Sequence, residues 1–523
     1  WATRNICFCF RLWLRFCSCV LFSLAFDTML TSRQAKRAAS HESDANLAAS
    51  PPKRQRRADA QQTFKLGRTL HSVFNFDAFD VNEYPILEHG ISLWETMTKK
   101  DGVALLNRIK ECARKNPSCE MPTRIDNNVT LTALQVCQAL CHAILCNATD
   151  PVGAELWSPK AKKPSNRSAS QDCQSDGGLV MDDFLKCDIR DHSGWSNAAQ
   201  KVAALLCYFD VATAEGYDND RKISFTAHSA KEIPRGDSTT QFPAMTLHTS
   251  DMTNDTVQVD SKNATCVNFA NFVFGFGKMS KSLNGVSQEE ALQVKYPELL
   301  LGMAYFGQLD ETECIVATGM RQFAEGMYES EGISTWKCTG PVTLTKELEI
   351  LSMDAFCYDK HIKRDKNDPE RRKSYNEQFS INNVKRDLLK AFACFEVKSG
   401  GHVATGLWGC GQFKGNPYLK FLQQYLAAAH AKLRSMSFSC YNKELLKVTC
   451  ENLLRGMTDC NVEPSDLQAF LLNLDSKLSS DMQETPEHVF LQWVCQWLEA
   501  KKENEKLCES AALNALKSDA SEV

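Results

Sequence analysis

Gln288, Glu289 and Glu290 set two carboxylates side by side at the head of a short helical stretch, Ala291 to Tyr296, that stops at Pro297. Paired glutamates there can do acid–base chemistry. A carboxyl withdrawn from water keeps its proton near neutral pH and can deliver it to a glycosidic oxygen. Just upstream, Val267-Asn268-Phe269-Ala270-Asn271 leads into Phe274-Gly275-Phe276-Gly277. Glycines after a strand let backbone N–H groups approach a phosphate closely. The same residues also fit an ordinary turn followed by an acidic first helical turn, which the helix dipole favours in any case.

The elements that must hold these residues fall into three stretches. Residues from about 65 to 215 carry mainly helical signals: Leu105, Leu106 and Ile109, then Leu131 to Leu145, then Ala198 to Phe209. A polar run from Ser158 to Gly178 reads as a surface loop. After about residue 220 short β-rich runs appear at Ile223 to Phe225, Cys314 to Thr318, Leu348 to Met353, His402 to Thr405 and Met436 to Cys440. Helical faces lie between several of them, for example Val384, Leu388, Ala391, Phe392 and Phe395, so the pattern predicts an α/β layer fold. Thr318-Gly319 and Thr405-Gly406 read as strand ends running into glycine, and such folds bind ligands beyond the carboxyl ends of strands. Leu445 to Leu507 is helical again.

The 523 residues are 43% hydrophobic and 24% charged, ordinary for a globular protein, and a net charge of −4 gives no overall pull toward nucleic acid. The 23 cysteines are spread along a long chain, without C-x-x-C pairs or paired Cys/His zinc spacings. Cys137, Cys141, His142 and Cys146 lie in an apolar helical stretch and are read as core rather than as a metal site. Arg11 and Arg15 ahead of the apolar run Phe16 to Phe26 would fit a secretory signal over 1–25. The run is too short to cross a bilayer as a helix. The chain begins at Trp1 and Met29 is a credible start. The cluster Pro51 to Arg57 reads as nuclear import, and the nucleus is the expected location.

Taken in order, these segments resemble the poly(ADP-ribose) glycohydrolases, whose signature is a Gly-Gly-Gly run, a short spacer and Gln-Glu-Glu inside a macrodomain-type fold. Lys201 to Phe209 resembles the helix before that domain, and Thr246-Leu247-His248-Thr249 the strand entering it. Glu298-Leu299-Leu300, Thr318-Gly319 with Gln322, Glu325 and Trp336, and Glu349-Ile350 with Met353-Asp354-Ala355 resemble later segments. The most specific match is Ala404-Thr405-Gly406-Leu407-Trp408-Gly409-Cys410-Gly411-Gln412-Phe413. The resemblance runs over about residues 200 to 455.

The resemblance implies a macrodomain-like mixed sheet flanked by helices over 220–455, while composition and periodicity place a disordered basic leader (1–62) and an α-helical accessory domain (63–219) before it and a helical segment (456–523) after it. Glu290 would protonate the departing ribose oxygen and then activate water, and Glu289 would orient the ribose hydroxyls. Gly275 and Gly277, with Gly409, Gly411, Gln412 and Phe413, would cradle the diphosphate. Asn271 would touch the terminal ribose, Tyr328 would stack on adenine, and Phe276 and Gln288 complete the expected substrate contacts. The implied partners are poly(ADP-ribose) and ADP-ribosylated proteins in the DNA damage response, met by a monomer without metal or cofactor and without direct nucleic-acid or membrane binding. The chain departs from the pattern at five places. Asn268 replaces the acidic residue beside the catalytic pair. Phe276 replaces the middle glycine. Ten residues separate Gly277 from Gln288, a longer spacer. Leu407 replaces an asparagine, and Cys440 an aromatic.

Two other readings compete. A divergent macrodomain could hold ADP-ribose without cleaving it. Gly277-Lys278-Met279-Ser280-Lys281-Ser282 also reproduces the KMSKS signature of class I aminoacyl-tRNA synthetases, but their upstream His-x-Gly-His motif does not occur. The basic run His361 to Lys373 is read as a solvated insertion rather than a nucleic-acid contact.

Overall fold

The computed structural model describes residues 63–65, 76–116, 119–122, 124–125, 127–147, 179, 181–186, 195–234, 240–250, 252, 265–275, 286–306, 309–328, 336–342, 347–358, 375–474 and 486–519. The leader with its signal and import readings, the loop at 158–178, the basic run at 361–373 and the glycine-loop residues 276–285 lie outside these. Residues 60–523 form one compact unit. No helix among the described residues is long and apolar enough to cross a membrane.

Twelve strands are described: β1 (Thr63–Lys65), β2 (Glu120–Pro122), β3 (Asn128–Thr132), β4 (Lys222–Ser229), β5 (Ala244–His248), β6 (Thr265–Ala270), β7 (Glu313–Arg321), β8 (Ala324–Tyr328), β9 (Trp336–Pro341), β10 (Glu347–Asp354), β11 (His402–Gly406) and β12 (Ser435–Ser439). Eight of them make the central sheet, in the order β3-β4-β7-β10-β6-β11-β12-β5. Its β3–β4, β4–β7 and β7–β10 pairs are antiparallel, and every pair from β10 across to β5 is parallel. The parallel strands read as continuous buried runs, Val267 and Cys266 on β6 or Ile350 to Met353 on β10. A strand apolar on both sides needs a helical layer on both faces, which makes this a mixed α/β sheet flanked by helices.

The helical layers follow from local signals. Helices α1 (Pro85–Thr98) and α2 (Gly102–Arg114) are separated by Lys99 in a left-handed conformation and by the cap Asp101, whose carboxylate accepts from Val103 and Ala104 N–H. The expected helix from Leu131 begins instead at α3 (Ala133–Ile144), because Thr132 forms a capping box with Gln135 and Leu131 stays in β3. The short α4 (Asp182–Leu185) precedes α5 (Trp195–Ala212), which packs against α1, β9 and α6 (Gln288–Lys295). On β7 and β10 lies α7 (Ile381–Glu396), backed by α8 (Pro417–His430) and then by α10 (Pro464–Leu472), while α9 (Glu444–Asp459) packs on β5 and α11 (Pro486–Asp519) on α8. The described helices of 63–219 and 456–523 pack against the elements of the central sheet and its helices, and β3 is an edge strand of that sheet.

Gly319 does not end its strand. It sits inside β7 at φ +76°, where the β7–β10 register shifts between Leu348 and Ile350, so its glycine forms a bulge that carries the strand onward.

Beyond β10 and β11 the core is charged rather than apolar. Arg386 pairs with Asp354 at 2.5 Å and with Asp387 at 2.7 Å, Lys390 pairs with Asp354 at 2.8 Å, and Lys420 pairs with Asp387. Lys420 also lies 4.4 Å over the ring of the buried Trp408. Burial alone would raise the Asp387 carboxyl, but the cations of Lys420 and Arg386 outweigh it and hold the group below the ordinary aspartate value. A carboxyl depressed in the folded state stabilises the fold at pH above its ordinary value, and that contribution is lost as pH falls through the folded one. Lys420→Met is therefore expected to cost about 3–5 kcal/mol at neutral pH, since it strips a buried carboxylate of one partner. The deficit should shrink in urea titrations taken below about pH 4. An equal deficit at both pH values would sink the pairing as its cause.

Candidate active site

Strands β6 and β11 are neighbours, yet they share a single paired position, Ala404 with Cys266, and diverge beyond it. From β6 the chain goes on to β7 and β10 on one side, and from β11 to β12 on the other. The gap is therefore a topological switch point of the parallel part of the sheet, where open α/β folds bind ligands.

Gln288, the first residue of α6, fills the upper part of this gap. Its Nε2 donates to Val267 O at 3.0 Å and its Oε1 accepts from Phe269 N–H at 2.8 Å. One side-chain amide thus replaces the donor and acceptor of a missing strand neighbour, which explains why glutamine, with both functions, stands here.

The two glutamates that follow are put to different uses. Glu289, only 3% exposed, accepts from Asn271 N–H at 3.0 Å through Oε2, and through Oε1 from Gly275 N–H at 3.3 Å and Gln293 Nε2 at 3.2 Å. It fixes the turn leaving β6, where Asn271 Oδ1 accepts from Val273 N–H at 3.2 Å and Gly275 takes φ +76°. Glu290, 8% exposed, bonds only through Oε2, which accepts from Ser287 N–H at 2.7 Å and from the Ser287 hydroxyl. Its Oε1 has no hydrogen-bond partner among the described residues. Behind it, Lys201 of α5 is fully buried; burial lowers its pKa, against the opposing pull of the Glu290 charge.

The second loop, after β11, is built to present amides. Gly409 takes φ +72°, and a Cβ there would meet the Ala355 Cβ at 2.5 Å. Trp408 is pinned below by Nε1 donating to Met353 O at 3.1 Å, and the loop closes through Gly415 N–H to Gly409 O at 2.9 Å. The N–H groups of Gly409, Gly411, Gln412 and Phe413 donate to no acceptor among the described residues, while Phe413 O accepts from Tyr358 N–H at 3.0 Å. Unspent consecutive amides in a turn make an anion-binding concavity.

The expected site residues can now be located. Gln288, Glu289, Glu290, Asn271 and Gly275 come together at the end of β6, with Gly409, Gly411, Gln412 and Phe413 on the neighbouring loop. Gly275 spends its N–H on Glu289 rather than offering it to a ligand. Asn268 is fully buried: its Nδ2 donates to Ser352 Oγ at 3.1 Å, and among the described residues its Oδ1 meets no donor and it bonds neither glutamate. Phe276 and Gly277 lie outside the described residues. Tyr328, on β8, packs edge-on at 5.7 Å against Tyr441, just past β12. Tyr441, one residue beyond Cys440, is not among the site residues expected from the sequence, and neither are Ser287, Gln293 and Lys201. Only Ser287 had a readable signal, the capping-box spacing Ser287-x-x-Glu290.

Residues 237–448 match a family profile described as poly(ADP-ribose) glycohydrolase (PARG), macro domain fold. Poly(ADP-ribose) glycohydrolase 1 of Caenorhabditis elegans is 24% identical over 284 residues, 51% of this chain and 34% of that protein. Poly(ADP-ribose) glycohydrolase 1 of Arabidopsis thaliana is 26% identical over 248 residues, 35% of this chain and 44% of that protein. The chain thus spans between a third and a half of these relatives' length. Poly(ADP-ribose) glycohydrolase from Deinococcus radiodurans, solved in complex with ADP-ribose, covers 42% of this chain and 86% of its own at 14% identity and a TM-score of 0.29, a likeness too low to argue from.

Replacing Gln288 by glutamate would keep the acceptor for Phe269 N–H but turn a carboxylate oxygen against Val267 O. The expected cost is about 1–3 kcal/mol, read as a lower urea midpoint; a midpoint equal to the parent's would show that the bridge does not hold the seam.

Proposed function

We propose that this chain, a divergent member of the poly(ADP-ribose) glycohydrolase family, hydrolyses the ribose–ribose O-glycosidic bonds of poly(ADP-ribose) and releases ADP-ribose. The observation that carries the proposal is the division of labour between the adjacent carboxylates: Glu289 is committed to three N–H donors, and Glu290 keeps one oxygen open. Because Oε2 of Glu290 already accepts from Ser287, a proton on this carboxyl belongs on Oε1, the atom turned away from the helix cap. In the proposed reaction Oε1–H protonates the departing ribose oxygen as the C1–O bond breaks through an oxocarbenium-like transition state. The carboxylate so formed then takes a proton from the attacking water, which returns Glu290 to its starting state. The amides of Gly409, Gly411, Gln412 and Phe413 would receive the diphosphate, the Nδ2 of Asn271 the terminal ribose, and Tyr328 with Tyr441 an adenine face.

The same sequence favours nuclear action through the basic cluster at 51–57. A tagged full-length chain that stays nuclear after Lys53, Arg54, Arg56 and Arg57 are all replaced by alanine would count against this.

The decisive comparison is ADP-ribose release from purified polymer by the full chain and by Glu290→Gln, with polymer binding measured in parallel. Loss of a general acid should slow release by about 10²–10⁴-fold while binding stays within a few-fold. Glu289→Gln should weaken binding as well, since its amide would face a donor at Asn271 or Gly275. Binding without release in the parent would instead make the chain a reader of the polymer, the reading that Phe276, Asn268 and Leu407 favour.

A further inference from the structure

Away from the acid pair, three thiols meet between two helices. Cys112 of α2 lies 3.8 Å, sulfur to sulfur, from Cys137 of α3, and Cys137 lies 4.0 Å from Cys141, one turn along the same helix. All three sulfurs fall within 4.8 Å of one another, all are free thiols, and Cys137 and Cys141 are fully buried. From sequence, Cys137 and Cys141 looked like core residues, because Cys112 is 25 positions upstream and only the fold delivers it to them.

We propose that Cys112, Cys137 and Cys141 form a binding site for one thiophilic closed-shell metal ion, Zn²⁺ or Cu⁺, that clamps α2 to α3. A point equidistant from three sulfurs at these separations lies about 2.3–2.5 Å from each, which matches a metal–thiolate bond. Soft thiolate ligands select Zn²⁺ or Cu⁺ over harder ions. A second observation points into the same space. The Tyr208 hydroxyl of α5 is fully buried beside the thiols: it hydrogen-bonds to Cys137 and lies within electrostatic reach of Cys141. Its oxygen offers a fourth position for a tetrahedral ion, whereas three sulfurs alone suffice for a trigonal one. His142 is not a ligand, because its Nε2 meets Asn116 O at 2.8 Å and its Nδ1 meets Asn147 Nδ2 at 2.7 Å. Binding replaces the thiol protons by the ion, with three protons released to solvent.

The ion would tie α2 to α3, which packs on α5, the helix behind the acid pair. The site stands independently of the proposed reaction.

The test uses the full chain, purified under reductant, stripped with chelator and titrated separately with Zn²⁺, Cu⁺ and the spectroscopic probe Co²⁺. One equivalent of Zn²⁺ or Cu⁺ per chain is expected, with a raised thermal midpoint and a Co²⁺ charge-transfer intensity corresponding to three thiolates. Cys112→Ser and Cys137→Ser should each abolish binding, while Cys394→Ser, a buried cysteine elsewhere, should retain it. Absence of stoichiometric binding in the parent, or equal binding by Cys112→Ser, overturns the proposal. Should the serine variants fail to fold, the parent's Co²⁺ spectrum still decides: an intensity of two thiolates, of four, or of none rejects the site.

Discussion

One side-chain amide holds the seam where the parallel strands of this sheet part. Parallel strands that pair along their whole length leave no crevice, and strands that part leave backbone groups in need of partners. Gln288 resolves that conflict, satisfying Val267 O and Phe269 N–H where β11 has moved away. Because Gln288 is also the first residue of α6, the bond that closes the seam sets the two following carboxylates at its mouth. Glu289 then reaches back to Asn271 and Gly275 and shapes the turn leaving β6. Seam, helix and loop are thus placed by three consecutive side chains.

The opposite wall of the crevice depends on charge. A loop whose amides find no acceptor among the described residues is not held by them, so its anchoring comes from beneath. Trp408 supplies this through its indole N–H and its ring, the latter covered by Lys420. Lys420 is in turn fixed by Asp387, and Asp387 by Arg386. A buried ionic chain of this kind is weak as net stabilisation but exacting about geometry, since removing any one member strips another buried charge of a partner.

Much of this was readable from residue order. The strands at Ile223, Cys314, Leu348, His402 and Met436 declared themselves through β-rich runs, and the pair Glu289-Glu290 through its place after a glycine loop. What stayed hidden depended on contacts between distant positions. Nothing near Asn128 says that β3 borders the main sheet, because an edge strand five residues long carries too little pattern to stand out beside the helix that follows. Gly319 looks like a strand end because a bulge glycine and a terminal glycine are the same letter. The roles of Gln288 and Lys201 are equally silent, since one depends on where β11 diverges and the other on which helix backs α6. Asn268 is a subtler case. Its swap was legible, but its burial against Ser352, away from both glutamates, was not.

The cap at Ser287 has a consequence for assembly. In most helices the residue that ends the backbone's unmet donors is dispensable to whatever chemistry the helix carries. Here the carboxylate that accepts from Ser287 is the one that keeps its other oxygen open, so the cap that starts the helix also orients that carboxylate. A change at Ser287 therefore acts on two things at once, the start of α6 and the orientation of the Glu290 carboxylate.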